Sequence, residues 1–471
     1  MKKDKIKEED QVILKPIFGK PPTSYIPVFY AIGILILFFL ICMLPGMIKN
    51  GSYLIVETSV DNSALYVDDV YIGEADVAHF IPKGKHNITI RKPYFSEMTI
   101  NEAEIPGNIF FSLIHRKKVT FSSEMKIADI PDYLSWRLTQ IEKWSPIKAF
   151  SETYFLPNLF TETAQDLTYT DSLEDSTILP FFIYSIGYLH SKEMITDYEQ
   201  ALEILPQEYR EAITSSATYI NYKNDSVMEN DGFKLKGSYD SKIIDDIYYL
   251  EVPADRTISL GLVGYDETQR YIDSFYISTI EITEELFSRF ITDEPVWSKD
   301  NKESLTKSGS VDNYYLDSID LNSPTRRPIR NISYRAAQAF CDWYENELQN
   351  LGYTVEVSIP TEYEWETAAL AYGPENSYVK QILIVNSQAH ELFGLFGSLW
   401  EFTSSNYLYN HQYIDDELKN NASEVLDIPD NLITIKGGSY INDDINSYTR
   451  GIADASSCSA YNGFRIIIRE R

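Results

Sequence analysis

Residues 359–369 read IPTEYEWETAA, and this stretch indicates where a helix begins. Thr361 and Glu364 have the spacing of a capping box, in which each side chain accepts a hydrogen bond from the backbone N–H of the other residue. Trp365 and Ala368, the first apolar residues of the helical pattern, follow directly. The stretch therefore predicts a helix that starts at Thr361.

Two more helix starts precede this one. Thr283 is followed by two glutamates, and carboxylates in the first turn are stabilised by the helix dipole. Ser333 is a second N-cap candidate. The residues after Ser333 that share one helical face are Ala337, Cys341, Tyr344 and Leu348. We therefore interpret Cys341 as a small apolar core residue.

Residues 244–471 combine these helices with strand-like runs at 247–261 and 271–283, which predicts an α+β domain. Six motifs in this domain resemble, in order, those of the formylglycine-generating sulfatase-modifying factor family. The motifs lie at 273–283, 327–343, 359–366, 393–402, 437–440 and 462–465. In the same order, these ranges contain DSFYI, AFCDW, IPTEYEWE, FGLFGSLWEF, GGSY and NGFR. The resemblance implies an irregular fold of the C-type-lectin-like kind.

The same resemblance identifies where catalytic residues would stand. The enzymes of the family bind copper through two cysteines, two and seven residues after the aromatic of the Gly-Gly-Ser-aromatic step. Counting from Tyr440 gives Asn442 and Ser447, and neither is a soft ligand for copper(I). Cys458 is out of register, and a copper pair with Cys341 is not expected. We therefore predict no catalytic residues, with an oxidoreductase of the formylglycine-generating type or a divergent relative as the alternative.

Two further features follow from the resemblance. The family's structural calcium site keeps Glu401 here but has Ser398 in place of an asparagine, so calcium stays a candidate while no other cofactor is expected. Tyr440, Asn442, Ser447 and Arg450 would line the former substrate groove.

We predict that this groove binds a peptide or glycan. The alternative for Arg450 is a structural ion pair with a nearby acid.

Residues 51–122 are predicted to form a small β module. Asp68 and Asp69 mark a turn between two short runs rich in β-branched and aromatic residues. The pattern resembles the PEGA domain through Ala64, Val67, Asp68, Gly73, Pro82, Gly84, His86, Ile88, Ile90, Pro93 and Tyr94. That family implies a small β module of envelope proteins with no activity of its own.

Residues 123–230 have a helical pattern and are interpreted as a connector. Leu134, Leu138, Ile141 and Trp144 recur on one helical face. The stretch 161–176 is rich in Thr, Asp and Glu and is predicted to be a loop.

An apolar segment at 26–48 has no charged residue and spans about 34 Å as a helix, which is enough to cross a bilayer. It is longer than the apolar part of a signal peptide, and a buried soluble helix is the other alternative. Six lysines precede it, so the positive-inside rule places residues 1–25 in the cytoplasm and the rest outside.

The composition excludes several classes of function. The formal charge of −29 disfavours nucleic-acid binding, because phosphate would be repelled. Three cysteines in 471 residues exclude a disulfide framework.

The sequence thus predicts a single-pass protein of the bacterial inner membrane, with a β module, a helical connector and a C-type-lectin-like domain. This domain would hold an exported protein or a cell-wall glycan without catalysis.

Overall fold

The computed structural model describes residues 15–112, 115–147, 156–170, 175–224, 240–258, 270–372, 379–382, 384, 391–443, 445–447 and 449–471. The chain forms two compact units. The first unit contains the residues up to Asp129 together with Asp166–Ser172, and the second contains Ile130–Gln165 and Leu173–Arg471.

The apolar segment is a helix that begins four residues earlier than predicted. It consists of α1 (Pro22–Phe38), a π-helical turn (Phe39–Met43) and α2 (Leu44–Ile48). Pro22 fits the first helical position because its missing N–H would have no partner there. The 27 residues are long and apolar enough to cross a membrane, as a membrane anchor or an N-terminal signal sequence would be.

The region after this helix is an all-β module, as the sequence predicted. Its strands are β1 (Gly51–Thr58), β2 (Ala64–Val67), β3 (Val70–Glu74), β4 (His79–Pro82), β5 (Gly84–Arg91), β6 (Met98–Ile105) and β7 (Lys118–Ser123). One sheet has the order β4-β1-β7 and the other β3-β2-β5-β6. The fully buried side chains include Leu54, Val56, Leu65, Ile88 and Ile90.

The predicted turn at Asp68 and Asp69 is confirmed. Both residues have positive φ, 51° and 63°, as the two central residues of a type I′ hairpin turn require. Asp68 Oδ1 accepts a hydrogen bond from the Asn87 backbone N–H at 2.9 Å, and Asp68 Oδ2 lies 2.6 Å from His86 Nδ1. His86 therefore holds the hairpin against β5.

Six helices follow the β module in the described part of the chain: α3 (Ile130–Trp144), α4 (Leu159–Leu167), α5 (Asp175–Ser185), α6 (Lys192–Ile204), α7 (Gln207–Thr214) and α8 (Ala217–Asn224). Leu134, Leu138 and Ile141 of α3 are fully buried, as their spacing predicted. The predicted loop at 161–176 is wrong for residues 161–167, which belong to α4, and for residues 175 and 176, which begin α5. Residues 168–170 are not helical, and residues 171–174 lie outside the described residues.

The helix α4 has its cap supplied by another helix. The carboxylate of Asp197 in α6 accepts hydrogen bonds from the Phe160 and Thr161 backbone N–H groups at 2.8 and 3.1 Å. A side-chain oxygen at a helix start satisfies N–H groups that have no partner within the helix. The local sequence cannot show this cap, since Asp197 is distant from α4 along the chain.

The C-terminal part mixes strands and helices, as predicted. The strands are β8 (Ser241–Ile244), β9 (Ile247–Val252), β10 (Asp255–Ile258), β11 (Arg270–Ile272), β12 (Phe275–Ser278), β13 (Val355–Ser358), β14 (Trp400–Asn406), β15 (Leu432–Lys436), β16 (Arg450–Asp454), β17 (Asn462–Gly463) and β18 (Ile467–Glu470). The larger sheets have the orders β13-β18-β12-β9-β8 and β16-β15-β14-β17, and β10 pairs with β11.

The helices of this part are α9 (Glu284–Asp293), α10 (Lys302–Lys307), α11 (Tyr334–Asn350), α12 (Glu362–Tyr372) and α13 (Asp416–Ser423). An aromatic cluster joins α9 to α11 through Phe287, Phe290 and Phe340, whose ring centroids lie 5.2–5.9 Å apart. Aromatic pairs at such distances stabilise a core beyond the area that they bury.

The three predicted helix starts are confirmed. Thr283 accepts a hydrogen bond from the Leu286 N–H at 3.3 Å, and Ser333 accepts one from the Ala336 N–H at 3.1 Å. Thr361 and Glu364 form the reciprocal capping box, with distances of 2.7 and 3.2 Å.

Apart from the end of α4, the helices at 130–224 belong to the same compact unit as the C-terminal part. The carboxylate of Glu142 accepts hydrogen bonds from the Asn431 and Leu432 backbone N–H groups at 3.1 and 3.0 Å, and from the Asn431 amide at 3.0 Å. Asn410 donates to the Ile186 carbonyl at 2.9 Å. The segment interpreted as a connector is thus built into the second unit.

Candidate functional site

The predicted groove starts at the glycine turn after β15. Gly437 and Gly438 both have positive φ, and a side chain at Gly437 would clash with the Leu395 carbonyl. Tyr440 follows this turn, half-buried, with its ring 5.6 Å from that of Tyr461. Tyr461 is 39% exposed, so the two rings present an aromatic surface to solvent.

The two positions that the family resemblance aligns with copper ligands, Asn442 and Ser447, lie beyond Tyr440. The amide oxygen of Asn442 accepts hydrogen bonds from the backbone N–H and the hydroxyl of Ser439, at 2.9 and 2.8 Å. Asn442 therefore closes the turn that carries Tyr440. Ser447 follows in the next turn and is half-buried.

The two thiols of the C-terminal domain are buried. Cys341 and Cys458 are 4% and 5% exposed and both belong to the hydrophobic core. Burial raises the pKa of both thiols well above the ordinary value, so they are protonated at neutral pH. Protonated thiols inside a core are poor metal ligands and poor nucleophiles.

Arg450 forms an ion pair, which was one of its two predicted roles. Its Nε and Nη2 atoms lie 2.5 and 3.0 Å from the two carboxylate oxygens of Glu362, and Nη1 donates to the Leu408 carbonyl at 2.9 Å. Its guanidinium also covers the Tyr407 ring at 4.7 Å. Each of its three nitrogens is engaged within the protein, so Arg450 has a structural role in this arrangement.

Arg450 belongs to a buried charge cluster with Glu362, Glu366 and Lys436. Lys436 and Arg450 lie opposite each other on β15 and β16, where two like charges repel. Glu362 and Glu366 stand one turn apart on α12 and supply the two compensating carboxylates. Lys436 Nζ lies 2.5 Å from Glu366 Oε1, and 3.8 Å from Glu362 Oε1.

The pKa values of the Glu362 and Glu366 carboxylates are shifted in opposite directions. Burial by itself would raise the pKa of Glu362, but Arg450, His411 and Lys436 lower it to about 2. Burial raises the pKa of Glu366 despite the opposing effect of Lys436. Glu362 is therefore ionised under all ordinary conditions and holds Arg450 in place.

A polar pocket of about 100 Å³ adjoins the charge cluster. It is lined by Tyr184, Thr361, Glu362, Tyr363, Ser404, Ser405, Asn406, Leu408, His411, Ile414, Asp416 and Lys419. The sequence did not predict this pocket, because its wall combines α5 with the long segment between β14 and β15.

The candidate calcium residues form another ion pair. The guanidinium of Arg465 binds Glu401 through two bonds of 2.5 and 2.6 Å, and the Trp365 indole N–H donates to the same carboxylate at 2.6 Å. Ser398 donates to Glu281 at 2.9 Å. All of these groups are buried.

This arrangement does not fit calcium. The ion takes six to eight oxygen ligands, whereas both oxygens of Glu401 are bound by nitrogen donors. Burial and the nearby Glu401 raise the pKa of Glu281 well above the ordinary value, which disfavours the carboxylate form that calcium would need. Within the described parts of the chain, no group of three or more His, Cys, Asp or Glu is placed to hold a metal ion.

Comparisons with known proteins agree with the sequence motifs. The family model of the sulfatase-modifying factor enzyme 1-like domain matches residues 261–382, and the PEGA domain matches residues 52–104. The chain thus carries a PEGA domain followed by a domain of the sulfatase-modifying factor type. An uncharacterized protein of Borreliella burgdorferi is 23% identical over 401 residues, which cover 76% of this chain and 78% of that protein.

Three solved structures show a distant likeness. PvdO from Pseudomonas aeruginosa is 14% identical with a TM-score of 0.35, and the match covers 50% of this chain and 100% of that one. Treponema denticola variable protein 1 is 13% identical with a TM-score of 0.29, over 50% and 100% of the two chains. CarF is 13% identical with a TM-score of 0.30, over 46% and 97%.

Proposed function

We propose that this protein is a membrane-anchored envelope protein whose sulfatase-modifying-factor-like domain binds a partner without catalysis. The observation that carries the proposal is the fate of the two copper positions. Asn442 uses its amide oxygen to close the turn under Tyr440, and Ser447 has no thiol. The copper chemistry of the family needs two thiolates, and neither position supplies one.

The partner is proposed to bind at the aromatic surface of Tyr440 and Tyr461. Two tilted rings beside polar turn residues suit an exported protein segment or a cell-wall glycan, because rings stack on apolar faces while turn atoms exchange hydrogen bonds. Arg450 is engaged by Glu362 and acts as a support of the strand pair. Asn442 and Ser447 are the polar groups of the groove.

The anchor is the helix Pro22–Ile48. Six lysines precede it in the chain, which supports a cytoplasmic N-terminus and an inner-membrane location. The PEGA domain follows directly, at the C-terminal end of the helix. Intact mass spectrometry of the protein from membranes tests this part, because cleavage of a signal sequence would remove the whole helix together with the residues before it.

Site-specific photo-crosslinking in intact cells tests the binding role. A photoreactive amino acid replaces Tyr461 beside the groove, and a matched control replaces Tyr353, which is 40% exposed on the same domain. We expect one recurrent adduct from position 461 that is lost when Tyr440 is changed to alanine. Identical adducts from both positions, or none from position 461, would contradict the proposal.

Metal analysis tests the enzymatic alternative. Stoichiometric copper in the purified full-length protein, lost in both Cys341→Ser and Cys458→Ser variants, would establish an oxidoreductase and refute a purely binding role. We expect no copper above the level found in a variant that carries both substitutions, because both thiols are protonated within the core.

A further inference from the structure

A loop of the β module contacts the C-terminal end of the apolar helix. The Phe111 backbone N–H donates to the Cys42 carbonyl at 2.7 Å, and the Phe111 and Phe38 rings meet edge to face at 5.9 Å. A side chain at Gly46 would lie only 2.2 Å from the Ile109 carbonyl oxygen. The loop, which we call the 108–111 loop, therefore lies directly against the helix backbone.

The 108–111 loop exposes apolar side chains although it is part of a folded module. Ile109, Phe110 and Phe111 are 38%, 59% and 43% exposed, whereas Cys42 and Gly46 beneath them are buried. Three consecutive apolar residues on one surface indicate an interaction site. The contacts with the helix leave a large part of these side chains exposed, so they are available to a further apolar surface.

The length of the helix places this loop at the edge of a bilayer. A hydrocarbon core of about 30 Å is filled by about 20 residues, so a span that starts at Pro22 ends near Ile41. Cys42 and the residues up to Ile48 then lie at the outer interface. The 108–111 loop covers this final part of the helix, at the depth of the headgroups and the upper acyl chains.

The charged residues next to the 108–111 loop also suit a position at the membrane surface. Residues 115–118, which follow the loop, are His, Arg, Lys and Lys, and all four are exposed. Three fixed positive charges in a row are unusual in a chain with a net charge of −29. Basic residues next to inserted apolar side chains attract anionic lipid headgroups.

We infer that the 108–111 loop is a second membrane contact, which inserts Ile109, Phe110 and Phe111 into the outer leaflet of the membrane that the helix crosses. Arg116, Lys117 and Lys118 bind anionic phospholipid headgroups. The inference rests on the proposed anchoring by the helix. The contact ties the PEGA domain to the bilayer surface, since a single helix alone would leave the domain free to tilt.

Depth-dependent fluorescence quenching tests the inference with the full-length protein in anionic phospholipid vesicles. A Phe110→Trp variant is compared with a Phe29→Trp variant in the helix and with the parent, whose six tryptophans lie between positions 136 and 400. Lipids brominated near the headgroup or near the chain ends are the quenchers. We expect the tryptophan introduced at position 110 to lose several-fold more emission with the shallow quencher than with the deep one, because interfacial residues insert about 5–10 Å.

The outcomes separate this inference from the anchoring proposal. Quenching of the tryptophan at position 29 without quenching of the one at position 110 would overturn the loop contact and leave the anchor intact. Absence of quenching at both positions would overturn the loop contact and the anchoring proposal together. Shielding of position 110 from lipid and from aqueous acrylamide alike would mean that protein covers the loop, which also overturns the inference.

A charge variant gives an independent readout. Replacing Arg116, Lys117 and Lys118 by glutamine in the Phe110→Trp background should reduce quenching at position 110 in anionic vesicles to the level seen in neutral vesicles. The same replacements in the Phe29→Trp background should leave quenching at position 29 unchanged. Equal quenching at position 110 with and without the three charges would refute the headgroup part of the inference.

Discussion

Removal of Arg450 from the charge cluster leaves the buried carboxylate of Glu362 without its principal partner. Glu362 is 1% exposed, and its pKa of about 2 compares with an ordinary value of 4.5. At about 1.4 kcal/mol per pKa unit, this difference corresponds to about 3 kcal/mol of stability at neutral pH. Breaking a buried ion pair from one side costs about 3–5 kcal/mol, so Arg450→Met should lower the free energy of unfolding by that amount.

Urea unfolding of the full-length protein in detergent, followed by tryptophan emission, measures this loss. All six tryptophans lie in the second compact unit, so the signal reports the part that contains the cluster. Arg326→Met is a matched control, because Arg326 pairs with Glu285 at 3.3 Å with both side chains about half exposed. Exposed pairs contribute about 0–1 kcal/mol. Equal losses in the two variants would refute the reasoning.

The same charge cluster should make the free energy of unfolding depend on pH. Because the pKa of Glu362 is lower in the folded state, its contribution is complete above about pH 4.5 and is lost as the pH falls toward about 2. A Glu362→Gln variant lacks this contribution at every pH. The difference in unfolding free energy between parent and variant should therefore shrink by about 3 kcal/mol over this range. Parallel curves would contradict the prediction.

Three further predictions concern other parts of the chain. Glu142→Ala removes the acceptor of the Asn431 hydrogen bonds and should lower the unfolding free energy of the second unit by about 2–4 kcal/mol in the same urea assay. Asp69→Gly should stabilise the first unit by up to about 1 kcal/mol in calorimetry, because Asp69 has φ of 63° and left-handed backbone costs an L residue about 1–2 kcal/mol, which glycine's larger entropy loss offsets only in part. Cys341 and Cys458 should react with a thiol reagent only as fast as the protein unfolds, and rapid labelling of the native protein would contradict their burial.

Much of the local structure could be predicted from neighbouring residues. The capping box at Thr361 and the hairpin turn at Asp68 and Asp69 depend on side chains within a few positions, so their physics is contained in short stretches. The buried face of α3 follows from helical periodicity for the same reason. That positions 442 and 447 hold Asn and Ser also needs only the sequence.

The missed features all depend on distant partners. The helix α4 forms within a stretch that resembles a loop, because the Asp197 carboxylate from α6 satisfies its first N–H groups. The helices at 130–224 join the C-terminal part through Glu142 and Asn410. In each of these hydrogen bonds the donor and its acceptor are far apart in the sequence, so no local pattern contains both.

By itself, the sequence determined the order of the PEGA domain and the sulfatase-modifying-factor-type domain and the apolar helix, because residue identity and short-range spacing decide these features. The tertiary structure alone decided the role of Arg450. Its partner Glu362 lies 88 residues away, and only the pairing of β15 with β16 next to α12 brings two cations and two buried carboxylates together. Charges inside a protein are stable only beside opposite charges, and which charges meet is a property of the fold.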